Sequence, residues 1–166
     1  MQPYFDYIKC PLHRYTFDIR SIREWVENQC EGLVLNLFAG KVKLDVDEIR
    51  NDIDPEETTA DFHLDAVEFV TVWSNSTQEL FQTIILDPPY SYRKSMEMYG
   101  GRKASPFRQL KDILPSIMAL NSKLITFGYH SNVMGKNRGF QIEKIALFSH
   151  GGAIHDTIDS VERKII

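Results

Sequence analysis

The tetrapeptide Asp-Pro-Pro-Tyr at positions 87–90 is the stretch whose residue types and spacing best suit chemistry. Its two prolines fix φ near about −65° and remove two backbone N–H donors, so the loop offers carbonyl acceptors and few donors. The carboxylate of Asp87 precedes these carbonyls, and the ring of Tyr90 follows them. Acceptors beside an aromatic face suit a planar amine, because they bind its N–H groups while its ring stacks. The alternative is a connection that uses prolines only for rigidity.

Three other polar positions follow short apolar segments. The apolar run 33–38 is halted at Gly40, which either lets a ligand approach the backbone closely or only makes a turn. Asp54 either binds a ligand or belongs to a solvated acidic cluster at 54–57. Asp65 can cap a following helix, a role that is compatible with ligand contact.

A basic segment with interleaved aromatic residues follows the tetrapeptide. Its members include Tyr92, Arg93, Lys94, Tyr99, Arg102, Lys103, Arg108 and Lys111. Such a pattern suits a phosphate backbone, so we predict nucleic-acid binding by Tyr92, Arg93, Lys94, Arg102 and Lys103. The alternative is a charged loop that is simply solvated.

These residues must be positioned by a sheet. Apolar segments predict strands at 33–38, 48–53, 83–86, 124–128, 141–149 and 157–165, with a short extended piece at 61–65. Helices are predicted from Ile19, capped by Asp18, to about Gln29, at 66–73, and from about 106 to 120 with a kink at Pro115. This order predicts an α/β/α sandwich with a mostly parallel sheet and an antiparallel C-terminal β-hairpin. Ligands of such sheets bind beyond the carboxyl ends of the strands, where the polar residues above are placed.

The motif Leu-Asp-Pro-Pro-Tyr after a strand resembles the catalytic motif of S-adenosylmethionine-dependent amino-methyltransferases. These enzymes modify exocyclic amines, as N6-adenine DNA methylases and some RNA base methylases do. Residues 36–40 resemble the family's first motif, and Asp54 resembles the acidic residue that binds the ribose hydroxyls of the cofactor. Residues 61–66 resemble the motif that reads the cofactor's adenine, and 15–17 resemble the segment that closes over its methionine end.

The resemblance covers about residues 14–165 and implies a single class I methyltransferase-like, Rossmann-like domain. It implies S-adenosyl-L-methionine as cofactor, S-adenosyl-L-homocysteine as product, and methyl transfer to an exocyclic amine of a DNA or RNA base, with adenine N6 favoured. The implied catalytic residues are Asp87, Pro88, Pro89 and Tyr90. The implied cofactor-binding residues are Thr16, Phe17, Asn36, Phe38, Ala39, Gly40, Asp54, Asp65 and Ala66. The first motif departs from the family pattern, since Gly40 is its single glycine and Asn36 replaces an acidic residue.

From the length and composition we expect one domain, 1–166, with no separate target-recognition domain. The net charge of −4 excludes a simple basic protein that coats nucleic acid. Residues 1–90 hold 7 Lys/Arg against 17 Asp/Glu, whereas residues 91–166 hold 12 against 6. An acidic half joined to a basic half indicates two different ligands.

The sequence also bears on whether the protein binds a metal ion and on where in the cell we expect it. Two cysteines make neither a disulfide framework nor a zinc site, and the spacing of His150 and His155 fits no common zinc pattern, so we predict no metal. No apolar run spans a membrane and no signal peptide is visible, so we expect a cytoplasmic protein without a membrane partner.

Two other functions stay open. One is a non-catalytic methyltransferase-fold subunit that binds nucleic acid or a sister chain. The other is a methyltransferase for a small molecule or a protein amide nitrogen. The expected partners are a DNA or RNA substrate and either a recognition subunit or a second copy of the chain. Neither a Gly-x-Gly-x-x-Gly dinucleotide motif nor a P-loop is present, which argues against a dehydrogenase and a P-loop NTPase.

Overall fold

The computed structural model describes residues 2–88, 105–152 and 155–166. The strands of this part are β1 (Tyr4–Lys9), β2 (Val34–Asn36), β3 (Glu48–Arg50), β4 (Phe81–Leu86), β5 (Met118–Gly128), β6 (Phe140–Ser149) and β7 (Thr157–Lys164). Its α-helices are α1 (Arg20–Gln29), α2 (Ala66–Ser76) and α3 (Phe107–Ile113). No helix of the described ranges is long and apolar enough to cross a membrane.

The strands form one sheet in the order β1-β6-β7-β5-β4-β2-β3. Neighbouring strands are parallel except where β7 pairs antiparallel with both β5 and β6. The prediction of a mostly parallel sheet with an antiparallel C-terminal pair is therefore confirmed. The chain passes from β2 outward to β3 and then returns to β4 on the other side of β2. A strand order that reverses in this way opens a crevice beyond the carboxyl ends of β2 and β4.

Helices cover both faces of the sheet, as an α/β/α sandwich requires. Ile84 and Ile85 alternate between the faces because side chains in a strand have a period of two. Ile84 belongs to the core that contains Val67 and Phe69 of α2, whereas Ile85 belongs to the core that contains Ile22 of α1. Because β4 is buried from both sides, the position of its carboxyl end is fixed by packing.

Two local predictions were wrong. The helix predicted over 106–120 ends at Ile113, a 3₁₀ turn covers Leu114–Ile117, and β5 already begins at Met118. Pro115 lacks the N–H that a continuing helix needs, and the buried Met118 pairs with Phe81 of β4 instead.

The other wrong prediction concerns the start of α1. Asp18 closes a 3₁₀ turn over Thr16–Asp18, and Ile19 is the N-cap residue without a side-chain hydrogen bond. The Asp18 carboxylate lies 3.3 Å from Nδ1 of His13.

Strand β1 was not predicted from the sequence. It lies at the sheet edge beside β6, and Tyr4, Phe5 and Tyr7 are all exposed. A strand with exposed aromatic residues at consecutive positions lacks the alternation of apolar and polar residues by which a half-buried strand is recognised.

Candidate active site

A cavity of about 500 Å³ lies beyond the carboxyl ends of β2, β3 and β4. Residues from four segments line it: 14–17, 38–42, 52–59 and 87–88. The first segment precedes α1, and each of the other three follows one of these strands. The cavity therefore occupies the crevice that the strand order creates.

The turn after β2 is bound to the turn after β3 through one carboxylate. Gly40 has φ +57°, and its amide donates a 2.8 Å hydrogen bond to Oδ2 of Asp52. Oδ1 of Asp52 accepts a second hydrogen bond, 2.9 Å long, from the amide of Asp54. A Cβ added to Gly40 would meet nothing within 4 Å, so the backbone of this turn faces open space. This side of Gly40 is a cradle that a ligand can enter.

A buried arginine binds the backbone carbonyls of the same turn. Arg50, at the end of β3, is only 2% exposed and forms an ion pair with Glu48. Its guanidinium donates to four backbone carbonyls, those of Ala39 (3.2 Å), Gly40 (2.8 Å), Val42 (2.8 Å) and Thr59 (3.1 Å). Three of these carbonyls belong to the turn after β2, so the Arg50 side chain stabilises the conformation of this turn together with Asp52.

Asn51 binds the segment that leads into α2 to the carboxyl end of β3. Its side-chain amide donates to the carbonyl of Leu64 at 2.9 Å, and its Oδ1 accepts from the Leu64 amide at 3.1 Å. Asn51 also forms an isolated parallel bridge with Phe62. The predicted extended piece at 61–65 is thus reduced to one bridge beside β3.

Arg50, Asn51 and Asp52 were not predicted from the sequence as site residues. All three are at most 3% exposed. Three polar side chains within a predicted strand were the signal that could have identified them, because buried polar groups must find partners.

Asp87 and Pro88 lie directly after β4, both half-buried, and line the cavity. Phe17 also lines the cavity and packs edge-to-face on Phe127, with ring centroids 5.4 Å apart. Arg23 of α1 holds the Phe17 carbonyl with a 2.8 Å hydrogen bond. These contacts fix the wall of the cavity that precedes α1.

Most of the described site residues from the sequence meet in this cavity. Those that line it are Thr16, Phe17, Phe38, Ala39, Gly40, Asp54, Asp87 and Pro88. Pro89, Tyr90, Tyr92, Arg93, Lys94, Arg102 and Lys103 lie outside the described residues.

Asn36, Asp65 and Ala66 do not line the cavity. Asn36 is buried within β2 and donates to Glu48 at 3.3 Å. Asp65 caps α2, since its Oδ2 accepts from the Val67 amide at 3.0 Å, and its Oδ1 accepts from the Ser105 amide at 2.8 Å. The capping interpretation of Asp65 is confirmed, and Ala66 is the first residue of that helix.

Four carboxylates besides that of Asp87 line the cavity, those of Asp52, Asp54, Glu56 and Glu57. Burial together with the charge of Asp52 raises the pKa of Glu57. Carboxylates crowded in this way accept hydrogen bonds from hydroxyl and amine groups. No group of three or more His, Cys, Asp and Glu residues in the described ranges could hold a metal ion.

One further carboxyl group, that of Asp159, is close enough to Asp87 for their charges to interact. Asp159 of β7 is fully buried, and its Cα pairs with that of Phe127 in β5. Burial raises the pKa of Asp159 well above its ordinary value, and the charge of Asp87 adds to this effect. The Asp159 carboxyl is therefore biased toward its neutral form.

No protein-family model matches the chain, and no curated protein matches its sequence. Its fold is similar to that of TrmN from Thermus thermophilus, with 13% identity and a TM-score of 0.61 over 92% of this chain and 50% of TrmN. It is also similar to the N-methyltransferase NodS from Bradyrhizobium japonicum WM9, with 14% identity and a TM-score of 0.54 over 93% of this chain and 100% of NodS.

The structure of NodS in complex with S-adenosyl-L-homocysteine matches at 13% identity and a TM-score of 0.50, over 85% of this chain and 86% of that chain. The chain thus spans half the length of TrmN and the full length of NodS. The expected Rossmann-like class I methyltransferase fold is confirmed.

Proposed function

We propose that this protein is an S-adenosylmethionine-dependent methyltransferase that acts on an exocyclic amine of a nucleic-acid base, with adenine N6 favoured. The observation that carries the proposal is the meeting of Asp87 and Pro88 with the turn at Phe38–Gly40 in one cavity. Both segments follow central parallel strands, and this is where the class of fold binds its ligands.

The residues present fit S-adenosylmethionine. The cavity volume of about 500 Å³ lies within the usual range for small-molecule sites. The open side of Gly40 gives a ligand access to the backbone of the first turn. Asp54 and Glu57 offer acceptors for ribose hydroxyls, and Phe17 and Phe38 offer apolar surface. When bound, this cofactor supplies a methyl group that a sulfonium already activates.

The chain's own contribution is to orient the amine that attacks. The lone pair of an aryl amine is delocalised into its ring, which makes the nitrogen a weak nucleophile. In this proposal the Asp87 carboxylate and the Pro88 carbonyl accept its two N–H groups, which favours a pyramidal nitrogen with its lone pair directed at the methyl group. A bound cofactor would supply the methyl group and leave as the neutral thioether, and the Asp87 carboxylate would accept the proton that the nitrogen loses.

Nucleic acid is proposed as the substrate because of the basic and aromatic residues that follow the tetrapeptide in sequence. The family to which Asp-Pro-Pro-Tyr bears a resemblance also includes enzymes for bases. In this proposal Tyr90 stacks on the target base, and a target within a duplex is flipped out.

Transfer of a radiolabelled methyl group to total DNA, total RNA and protein tests the proposal. We expect label in a nucleic-acid fraction, recovered on digestion as N6-methyladenosine or its deoxy form. Asp87→Ala should lower transfer at least about 100-fold, because it removes a hydrogen bond that orients the nucleophile. The matched control is Asp45→Ala, which removes an exposed carboxylate outside the cavity.

Other distributions of the label would contradict the proposal. Label confined to protein would indicate an amide substrate, and label confined to small molecules would indicate a metabolite amine. No binding of S-adenosylhomocysteine at millimolar concentration would indicate a non-catalytic subunit. Transfer that persists in Asp87→Ala would remove the role given to Asp87.

A further inference from the structure

Two of the residues that line the cavity, Arg14 and Lys41, are cations to which the proposed methyl transfer gives no role. Cζ of Arg14 lies 5.4 Å from the centroid of the Tyr15 ring, and Nζ of Lys41 lies 5.5 Å from the same centroid. All three side chains line the cavity that holds Asp87 and Pro88. We call Arg14, Tyr15 and Lys41 the cation–aromatic clamp.

The two cations of the clamp are available to a ligand. Arg20, Arg50, Arg138 and Arg163 each form an ion pair with a carboxylate, whereas Arg14 and Lys41 form none with another described residue. Both side chains are exposed at the mouth of the cavity. The charge of Lys41 interacts with that of Glu57 without forming an ion pair, so an anion at this part of the cavity would still be attracted by both cations.

The position of the clamp favours an anion carried by the substrate. An exposed mouth is where a polymer passes when only one of its units enters a cavity. A guanidinium and an ammonium together suit a phosphate, because the first binds two oxygens as a fork and the second adds a point charge. Both cations contact the Tyr15 ring, and both side chains stay exposed to solvent.

We infer that the cation–aromatic clamp binds a backbone phosphate of a nucleic-acid strand next to the base whose amine is methylated. This inference rests on the proposed function and names a contact of its substrate outside the basic segment that follows the tetrapeptide. The clamp would fix the strand at one end of the cavity while Asp87 and Pro88 hold the target amine.

Binding measurements on the full chain test the inference without requiring catalysis. The probes are fluorescein-labelled single-stranded RNA and DNA of mixed sequence, titrated at several salt concentrations, together with calorimetric titration of S-adenosylhomocysteine. The test variant is Arg14→Gln/Lys41→Gln. The control is Arg20→Gln/Lys43→Gln, which removes the same residue types and charge from exposed positions outside this cavity.

We expect the test variant to bind the preferred oligonucleotide at least about tenfold more weakly than the control. Its slope of log affinity against log salt should fall by about 0.7, since the clamp contacts one phosphate and each phosphate contact on a single strand contributes about 0.7. Affinity for S-adenosylhomocysteine should stay within about twofold of the wild type.

Equal oligonucleotide affinity and salt slope in test and control variants would overturn the inference. The inference would also be overturned if the test variant lost S-adenosylhomocysteine binding but kept oligonucleotide binding. The clamp would then bind the carboxylate of the cofactor. If the wild type labels nucleic acid but the test variant binds it normally, only the inference fails. If the wild type neither binds nor labels nucleic acid, the proposed substrate class fails with it.

Discussion

Asp52 and Gly40, which follow neighbouring strands, are joined by a 2.8 Å hydrogen bond from the Gly40 amide to Oδ2 of the buried carboxylate. Since the other carboxylate oxygen holds the Asp54 amide, this one side chain fixes the relative position of two walls of the cavity. The contact is charge-assisted and removed from solvent, so it is stronger than a hydrogen bond between neutral groups.

We therefore expect Asp52→Ala to weaken S-adenosylhomocysteine binding about tenfold or more, the usual effect of losing a hydrogen bond to a charged group. Asp52→Asn keeps one acceptor oxygen and should lose less. Calorimetric titration measures both, and Asp45→Ala, on an exposed residue outside the cavity, is the control. Unchanged affinity in Asp52→Ala would show that the two turns hold their positions without this carboxylate.

Gly40 allows strain and ligand access to be separated. At φ +57° any side chain is strained, and a Cβ would enter open space. Gly151 is a matched control, because its φ is +71°, a Cβ there also meets nothing within 4 Å, and it does not line the cavity. Gly40→Val and Gly151→Val should each cost about 1–3 kcal/mol of stability in urea unfolding.

The two valine variants should differ in ligand binding. Gly40→Val places methyl groups in the cradle of the first turn and should weaken S-adenosylhomocysteine binding at least about tenfold, whereas Gly151→Val should leave it near the wild type. Equal affinities for the two variants would mean that no ligand approaches Gly40.

The meeting of residues 38–40 with Asp87 and Pro88 could be predicted from the sequence. The runs before them are apolar and short, so they indicate buried parallel strands, and the carboxyl ends of such strands lie at one edge. The roles of Arg50 and Asp52 could not be predicted in this way. Their partners are backbone groups of another turn, and no periodic pattern records which turn will be adjacent.

The error at the end of α3 has a similar origin. Residues 118–120 are apolar and continue a helical pattern, but Met118 gains a fully buried place beside Phe81 as a strand residue. Tertiary packing outweighs helix propensity, which amounts to a few tenths of a kcal/mol per residue. Pro115 indicated that the helix is disturbed, and the structure shows that it ends before this residue.

Arg50 should be a main determinant of stability in this half of the fold. Arg50→Met leaves the carboxylate of Glu48 buried without its cation and takes the donor from four carbonyls. Breaking a buried pair by removing one partner costs about 3–5 kcal/mol, so we expect a loss of this order in urea unfolding.

Two further variants make this test specific. Arg50→Met/Glu48→Gln removes the stranded charge and should recover part of the loss. Arg20→Met breaks the exposed pair with Glu24 and should stay near the wild type, because such pairs are screened by water. A loss in Arg50→Met no larger than in Arg20→Met would contradict the supporting role of Arg50.

Asp159 makes stability depend on pH in a defined direction. Because burial and the charge of Asp87 raise its pKa in the folded state, the folded protein keeps a proton that the unfolded chain releases above about pH 4. The folded state then binds more protons, so the contribution of Asp159 to stability falls as pH rises from the unfolded pKa toward the folded pKa. Below the unfolded pKa both states are protonated and this effect vanishes.

Asp159→Asn mimics the neutral carboxyl and should be more stable than the wild type at neutral pH, with a difference that shrinks toward about pH 3. Urea unfolding at a series of pH values measures this, and Asp47→Asn controls for the loss of one exposed negative charge. In an Asp87→Asn background the gain should be smaller, since one of the two causes of the raised pKa is gone. The contrary result is a stability difference between Asp159→Asn and the wild type that is the same at every pH. That result would show that the carboxyl has the same protonation in the folded and unfolded states.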